Sequence, residues 1–328
     1  MANIMEVARL AGVSHQTVSR VLNNEGTVRP QTRAKVEDAI RELRYRPSSV
    51  ARALATRKTH TLGLVSTGNP LYGPASIALA FNGAARRSGY HVITASMADA
   101  DREQILQAID ILLRQRVEAI VLIASDYSSI EAIDGLELEI PLVTADSSGH
   151  GSFPSVSIDQ FQGATMATAY LAERGHRSIL HLAGPEGSLD ARERERGWRA
   201  ELERRGLALR TPEHGDWTAD SGREIGKRLA REGGFTAIFV ANDQMTLGLL
   251  HAFGDHGISV PTAVSVVGFD DIPEAAHFSP PLTTIRQDFT ELGQRMMGTV
   301  SSVLDGRVVT HPVKTMPQLV ERDSVGHL

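Results

Sequence analysis

Near the start of the chain, Ser14-His15-Gln16-Thr17-Val18-Ser19-Arg20-Val21-Leu22-Asn23 carries side chains able to read nucleic-acid bases from one helix face. A Gln amide bonds bidentately to adenine, an Arg guanidinium to guanine, and a His ring donates to or accepts from a base edge. Helical spacing turns Val18, Val21 and Leu22 inward and leaves His15, Gln16, Ser19 and Arg20 outward. Thr17, Ser19, Asn23, Thr32 and Arg33 suit phosphate oxygens, which fix register without reading sequence. A second set lies downstream, where Thr67, Asp146, Asn242 with Asp243, and Asp270 with Asp271 each follow a short apolar run. Ligands of open parallel sheets sit beyond the carboxyl ends of the strands, and carboxylates and amides gathered there suit a polyhydroxyl molecule. Trp217 offers an apolar wall for a sugar face. Singly, each has a plainer explanation, helix capping for Asp and Asn and core packing for Trp; their recurrence at several strand ends favours a site.

These side chains need elements to position them. Asn3 to Ala11 reads as a short helix with Asn3 and Glu6 as a capping box and Ile4, Val7, Ala8 and Ala11 on one face. Gly12 breaks it, Ser14 caps a second helix, and a third begins at Pro30 and buries Val36, Ala39, Ile40 and Leu43 before Pro47. Two short helices on a glycine turn are a helix-turn-helix signature. From Thr61 the chain alternates strands and amphipathic helices, with strands expected at 62–66, 91–95, 119–123, 142–145, 179–183, 237–240 and 265–269. The pattern predicts parallel sheets covered by helices on both faces. There is no G-x-G-x-x-G and no P-loop, so nucleotide cofactors lack their usual warrant.

A chain of 328 residues forms two or three compact units. It has no cysteine, so a disulfide framework, a thiolate metal site and a Cys nucleophile are excluded, which fits a reducing cytoplasm. The first ten residues lack the features of a signal peptide, and no run approaches a membrane span of ~20 apolar residues. Residues 1–58 hold 11 Lys and Arg against 5 Asp and Glu, and the remainder 23 against 34. A basic head on an acidic body points to a polyanion partner for the head alone.

Val7-Ala8, Ala11-Gly12-Val13-Ser14, Thr17 through Asn23, Thr32-Arg33 and Leu43 through Pro47 resemble the LacI/GalR family of regulators. The likeness runs on through Leu182-Ala183-Gly184-Pro185, Gly215-Asp216-Trp217, Val240 through Met245, Gly268 through Asp271 and Pro280 through Phe289, where it is similar to the lactose-repressor branch. It implies an α/β fold: a three-helix helix-turn-helix head (1–47), a hinge helix and linker (48–59), and a periplasmic-binding-protein-like core (60–328) of two parallel-sheet lobes. The lobes would be 60–158 with 289–316, and 159–288 with 317–328. By the same likeness Leu54 is an apolar minor-groove wedge, with Val50 and Ala51 beside it on the hinge. Arg194, Asn242, Asp270, Asp146, Gln287 and Thr67 would bind effector hydroxyls, and Trp217, Phe289, Leu71, Pro74 and Ile77 would wall the pocket. Two positions depart from that branch: Asp190 stands where it has Ser, and Ile123 where it has Asn. The expected protein is a cytoplasmic, nucleoid-associated homodimer on a palindromic operator, with no cofactor, metal or membrane partner. It would be a repressor released by a galactoside-like sugar. Use of the ligand as corepressor, a plain sugar-binding protein, and an enzyme working through Asp146, Asp190 and Asp270 are the alternatives; the absence of an activated nucleophile disfavours the last.

Overall fold

A computed structural model describes residues 2–22, 26, 28–45, 58–67, 71–97, 101–149, 152–309 and 312–328. The chain divides into two units, Met1–His60 and Thr61–Leu328. In the first, α1 (Ile4–Ala11), α2 (His15–Leu22) and α3 (Pro30–Glu42) form a small bundle. The Asn3 carboxamide oxygen accepts the N–H of Met5 and Glu6 at 2.9 and 3.1 Å, and the Glu6 carboxylate accepts the N–H of Asn3 at 2.9 Å. This reciprocal cap satisfies amides that the helix start leaves without partners. α1 closes on Gly12 at φ 67°, after which the Val13 N–H donates to the Ala8 carbonyl at 3.0 Å. Only glycine takes that left-handed turn cheaply. Val7, Ala8, Ala11, Val18, Val21, Val36 and Ala39 make the buried core; Leu22, Ile40 and Leu43, expected inside, are half-buried at its edge.

The second unit begins with β1 (Thr61–Thr67), α4 (Tyr72–Arg87), β2 (His91–Met97), α5 (Arg102–Arg114), β3 (Ile120–Ile123), α6 (Tyr127–Ile133), β4 (Leu142–Ala145) and β5 (Ser155–Ile158). It continues through α7 (Gln160–Glu173), β6 (Ile179–Ala183), α8 (Leu189–Arg204), β7 (Glu213–His214), α9 (Ala219–Glu232), β8 (Ala237–Val240), α10 (Asp243–Asp255) and β9 (Ser265–Asp270). A 3-10 turn (Pro273–His277), β10 (Thr283–Arg286), α11 (Phe289–Leu304), β11 (Val313–Thr315) and β12 (Gln318–Val320) complete it.

Two six-stranded sheets result, ordered β11-β5-β4-β3-β1-β2 and β12-β10-β9-β8-β6-β7. We call them the N-sheet and C-sheet. β3, β4, β6 and β8 are buried along their whole length, as strands covered on both faces must be. Separate apolar clusters lie on each face: α4 and α11 cover one side of the N-sheet, and α7 and α8 one side of the C-sheet. The expectation of purely parallel sheets needs one correction, because β12 runs antiparallel to β10. β12 follows β11 after two residues, so the chain enters the C-sheet at its edge running backwards.

The chain passes between the two sheets three times, at Ile158 to Gln160, Arg286 to Phe289 and Thr315 to Gln318. Each passage is only a few residues long, so the lobes are joined by three short strands of backbone side by side. Asp159 ties the first passage to the third: its N–H donates to the Thr315 carbonyl at 2.9 Å, and its carboxylate lies 3.6 Å from Lys314 Nζ. Among the described residues, no helix is long and apolar enough to cross a membrane.

Candidate functional site

Two regions gather the residues singled out from sequence. On the head, Ser14 Oγ accepts the Thr17 N–H at 3.2 Å and opens α2. His15, Gln16 and Arg20 are then exposed along one face of that helix, opposite the buried Val18 and Val21. Ser19 is half-buried between them, and Thr32 and Arg33 stand half-buried in the first turn of α3. The Thr17 hydroxyl is engaged by Ser14 Oγ at 3.0 Å, and Arg33 lies 3.9 Å from Glu37. Asn23, Val50, Ala51 and Leu54 lie outside the described residues.

On the core, two adjoining cavities open at the carboxyl ends of the strands. The first is lined by Leu71, Pro74, Asp190, Arg194, Trp217, Asn242 and Asp270, together with Tyr72, Ser125, Ser188 and Gln244. The second is lined by Ile77, Asp146, Gln287 and Phe289, together with Ile123, Gln160 and the ends of β4 and β5. Gly73, Pro74, Ser125 and Asp190 line both, so they form one cleft between the lobes. Every expected effector residue is therefore brought to it except Thr67, which ends β1 and whose side chain lies outside the described set.

The cleft is built around a buried ring of polar side chains. Arg194 Nε donates to Gln160 Oε1 at 2.8 Å, Gln160 Nε2 to Gln287 Oε1 at 2.9 Å, and Gln287 Nε2 to Asp270 Oδ1 at 2.7 Å. Asp270 Oδ1 lies 3.7 Å from Arg194 Nη2 and closes the ring. Arg194 also donates through Nη1 to the Ala241 carbonyl and packs its guanidinium 3.8 Å above the Phe269 ring. Asp190, one helical turn before Arg194, is 3.8 Å from Nη2. The parallel register pairs Arg286 with Asp270, which sets Gln287 one residue beyond it. Asp270 and Asp271 both have positive φ, 114° and 54°. Consecutive non-glycine residues in that region store strain, as chains do where a side chain must be aimed. Burial raises the Asp270 carboxyl to about 6, against the opposing pull of Arg194 and the Gln287 amide.

Asn242 is both a cap and a cleft residue. Its Oδ1 accepts the Met245 N–H at 2.8 Å at the start of α10, and its Nδ2 donates to the Trp217 carbonyl at 3.0 Å. That bond helps to hold Trp217 at φ 75°, with the indole against Gly184, where a Cβ would meet the ring at 2.4 Å. Asp146 is buried and accepts Thr144 Oγ1 at 2.6 Å, Ser148 Oγ at 2.7 Å and two backbone amides. Two strand-end carboxylates expected with the set turn elsewhere. Asp243 is buried beneath the sheet end, accepting Thr284 Oγ1 at 2.7 Å and the Ile272 N–H at 2.9 Å; burial raises its pKa well above the ordinary carboxylate value. Asp271 is held by Arg286 at 2.6 Å and Arg322 at 2.7 Å.

Gln160, Ser125, Tyr72 and Gln244 were not found from sequence. Gln160 follows β5, whose Ser-Val-Ser-Ile run lacks a strong apolar signal; identifying that strand would have brought forward Asp159 directly after it and Gln160 one residue further on. Ser125 had the signal, since it follows β3 closely.

Residues 3–48 match the model of the bacterial regulatory proteins of the lacI family, and residues 168–325 a periplasmic binding protein-like domain. The chain is 35% identical over 308 residues to the lactose operon repressor of Escherichia coli strain K12, covering 93% of this chain and 86% of that protein. It is 36% identical over 337 residues to the transcriptional regulator GalS of Salmonella typhimurium, covering 99% and 97%. A crystal structure of the lac repressor dimer bound to operator and the anti-inducer ONPF superposes with a TM-score of 0.91 at 34% identity, covering 99% of both chains. The helix-turn-helix head, the two-lobed core and this likeness along nearly the whole sequence place the chain in the lacI family of bacterial regulatory proteins, as a DNA-binding transcription regulator and not an enzyme.

Proposed function

We propose that the protein is a dimeric repressor that leaves its operator when a sugar, galactoside-like by its relatives, fills the interlobe cleft. The observation that carries this is the buried ring of Arg194, Gln160, Gln287 and Asp270. Arg194 and Asp270, held by it, both line the cleft, with Asp190 and Trp217 beside them. A guanidinium and carboxylates beside an aromatic face are what a ring of hydroxyls on an apolar sugar face requires. In this reading Arg194, Asp270, Asp146, Asp190, Asn242, Gln287 and Thr67 take hydroxyls, while Trp217, Phe289, Leu71, Pro74 and Ile77 close on the carbon face. Ile123 removes a polar group from the N-lobe end and sets the sugar apart from the ligand of the lactose-repressor branch.

On the head, His15, Gln16 and Arg20 read bases, and Thr17, Ser19, Asn23, Thr32 and Arg33 hold phosphates. Residues 48–59 serve as the hinge, with Leu54 as the minor-groove wedge and Val50 and Ala51 as further DNA contacts. The regulator works in the cytoplasm on the nucleoid. Dimerisation is supported by a groove in which Tyr72, Ala75, Leu79, Leu247, Ile272 and Phe278 stand with the polar Ser76, Gln244 and Glu274, and in which Leu79 is 76% and Leu247 46% exposed. Exposed leucines on two neighbouring helices mark a protein interface.

The test is calorimetry and DNA release with lactose, methyl β-galactoside, cellobiose and methyl β-glucoside, using a palindromic duplex selected by the protein from a random pool. Binding of one galactoside with loss of DNA affinity is expected. Tightened DNA binding would reverse the sign to corepression, and binding of none of the four would remove the sugar reading.

A further inference from the structure

The ring in the cleft has a direction that its chemistry forces. Arg194 is a donor only and ionised Asp270 an acceptor only. Gln160 must therefore turn its oxygen to Arg194 and its NH₂ to Gln287, and Gln287 must turn its NH₂ to Asp270. Neither amide can flip without setting two donors or two acceptors face to face.

The two glutamines also occupy special places in the chain. Gln160 closes the first passage between the lobes, and Gln287 lies within the second. Their bond is a side-chain tie between two of the three passages, and the Asp159 N–H to Thr315 carbonyl bond ties the first to the third. A change in the angle between lobes must twist these short segments. A molecule engaging Arg194 and Asp270 therefore acts on a ring that is fastened to the backbone that has to twist.

We propose that Gln160 is the positioning residue that couples occupancy of the cleft to the angle between the lobes, and through it to DNA release; this rests on the sugar-released repressor reading above. Its function is distinct from holding Arg194, because the link that matters is the second one, from Gln160 Nε2 to Gln287.

Two near-isosteric variants of the full-length chain separate the roles. Gln160→Glu keeps an acceptor for Arg194 but has no donor for Gln287, and Gln160→Met breaks both links. Operator affinity is measured with and without saturating sugar, using whichever of the four panel sugars binds the unaltered protein, and sugar affinity is measured by calorimetry. The unaltered protein should lose at least about tenfold in DNA affinity at saturation, within the usual range of allosteric coupling. Gln160→Glu, compared at a sugar concentration that saturates it whatever its affinity, should release DNA by less than about twofold. Gln160→Met should bind sugar more weakly and also fail to release DNA at saturation. Full release by Gln160→Glu would overturn the proposal and leave Gln160 as the acceptor for Arg194 alone. Weakened sugar binding with full release at saturation in both variants would overturn it too. Failure of all four sugars to bind the unaltered protein would instead remove the sugar reading, and this proposal with it.

Discussion

Asp270 sits where charge, strain and function meet, and its behaviour with pH follows from its burial. With its carboxyl raised to about 6, it is ionised and a full acceptor only above that value. Sugar affinity is therefore expected to fall as pH drops through 6, while this carboxyl's own contribution to the stability of the free protein moves the other way. Ionising a carboxyl whose folded pKa is raised costs stability, so its contribution is complete below the unfolded value and lost as pH rises through 6. Calorimetry checks the first, and urea unfolding of the protein against Asp270→Asn between pH 5 and 7.5 checks the second; a stability difference that does not change with pH would contradict the assignment. His181 has the opposite sign. It is fully buried, stacked on Phe239 at 4.7 Å, bonded through Nδ1 to the Phe239 carbonyl at 2.9 Å, and depressed to about 3 by burial. Its neutral form stabilises the fold above the unfolded value near 6.5, and that contribution is lost as pH falls toward 3. His181→Phe should flatten the acid limb of stability, measured by chemical unfolding from pH 7 to 4.

The elements explain why particular residues cannot be exchanged. Gly184 follows β6 directly and lies against the Trp217 indole, and Gly184→Ala would drive a methyl group into that ring. The expected result is a loss of about 1–3 kcal/mol in fold stability from overpacking at the pocket wall, together with weaker sugar binding as Trp217 is displaced. Trp198 is fully buried, so the accompanying change in tryptophan emission reports on Trp217. On α2, Arg20→Ala should cost about 1–3 kcal/mol at the selected duplex and leave sugar affinity unchanged; equal losses on random DNA would reassign Arg20 to a phosphate. Elements with strong apolar runs or caps were readable in advance. The capping box of α1, the Ser14 cap, and the bounds of β4, β6 and β8 agree with expectation. β5, β7, β10, β11 and β12 were missed because they are two to four residues long and most carry hydroxyl or charged side chains; tertiary pairing makes them strands. The site was legible for the same reason in reverse. Asp146, Asn242 and Asp270 follow visible strands and reach the cleft, whereas Gln160 follows an unseen one. Strand-end position alone could not tell Asp270 from Asp243 and Asp271, whose orientation depends on Thr284, Arg286 and Arg322 from distant segments.

At the scale of the whole molecule, the exposed Leu79 and Leu247 bear on assembly. Leu79→Arg should shift the protein to monomer in analytical ultracentrifugation and weaken operator binding, because a buried unpaired charge at an interface is costly. A dimer of unchanged stability would remove the groove from the interface. The three passages between the lobes carry one more consequence, for how the chain comes into being. The first 45 residues hold the whole apolar core of the head, which can close as soon as they leave the ribosome. The N-sheet cannot, because α11 and β11 lie beyond Arg286 and nearly all of the C-sheet is synthesised before them. The N-lobe is therefore completed only after nearly all of the C-lobe has been made, and until then the nascent regulator is a folded DNA reader trailing a sensor whose first half still lacks an edge and a face.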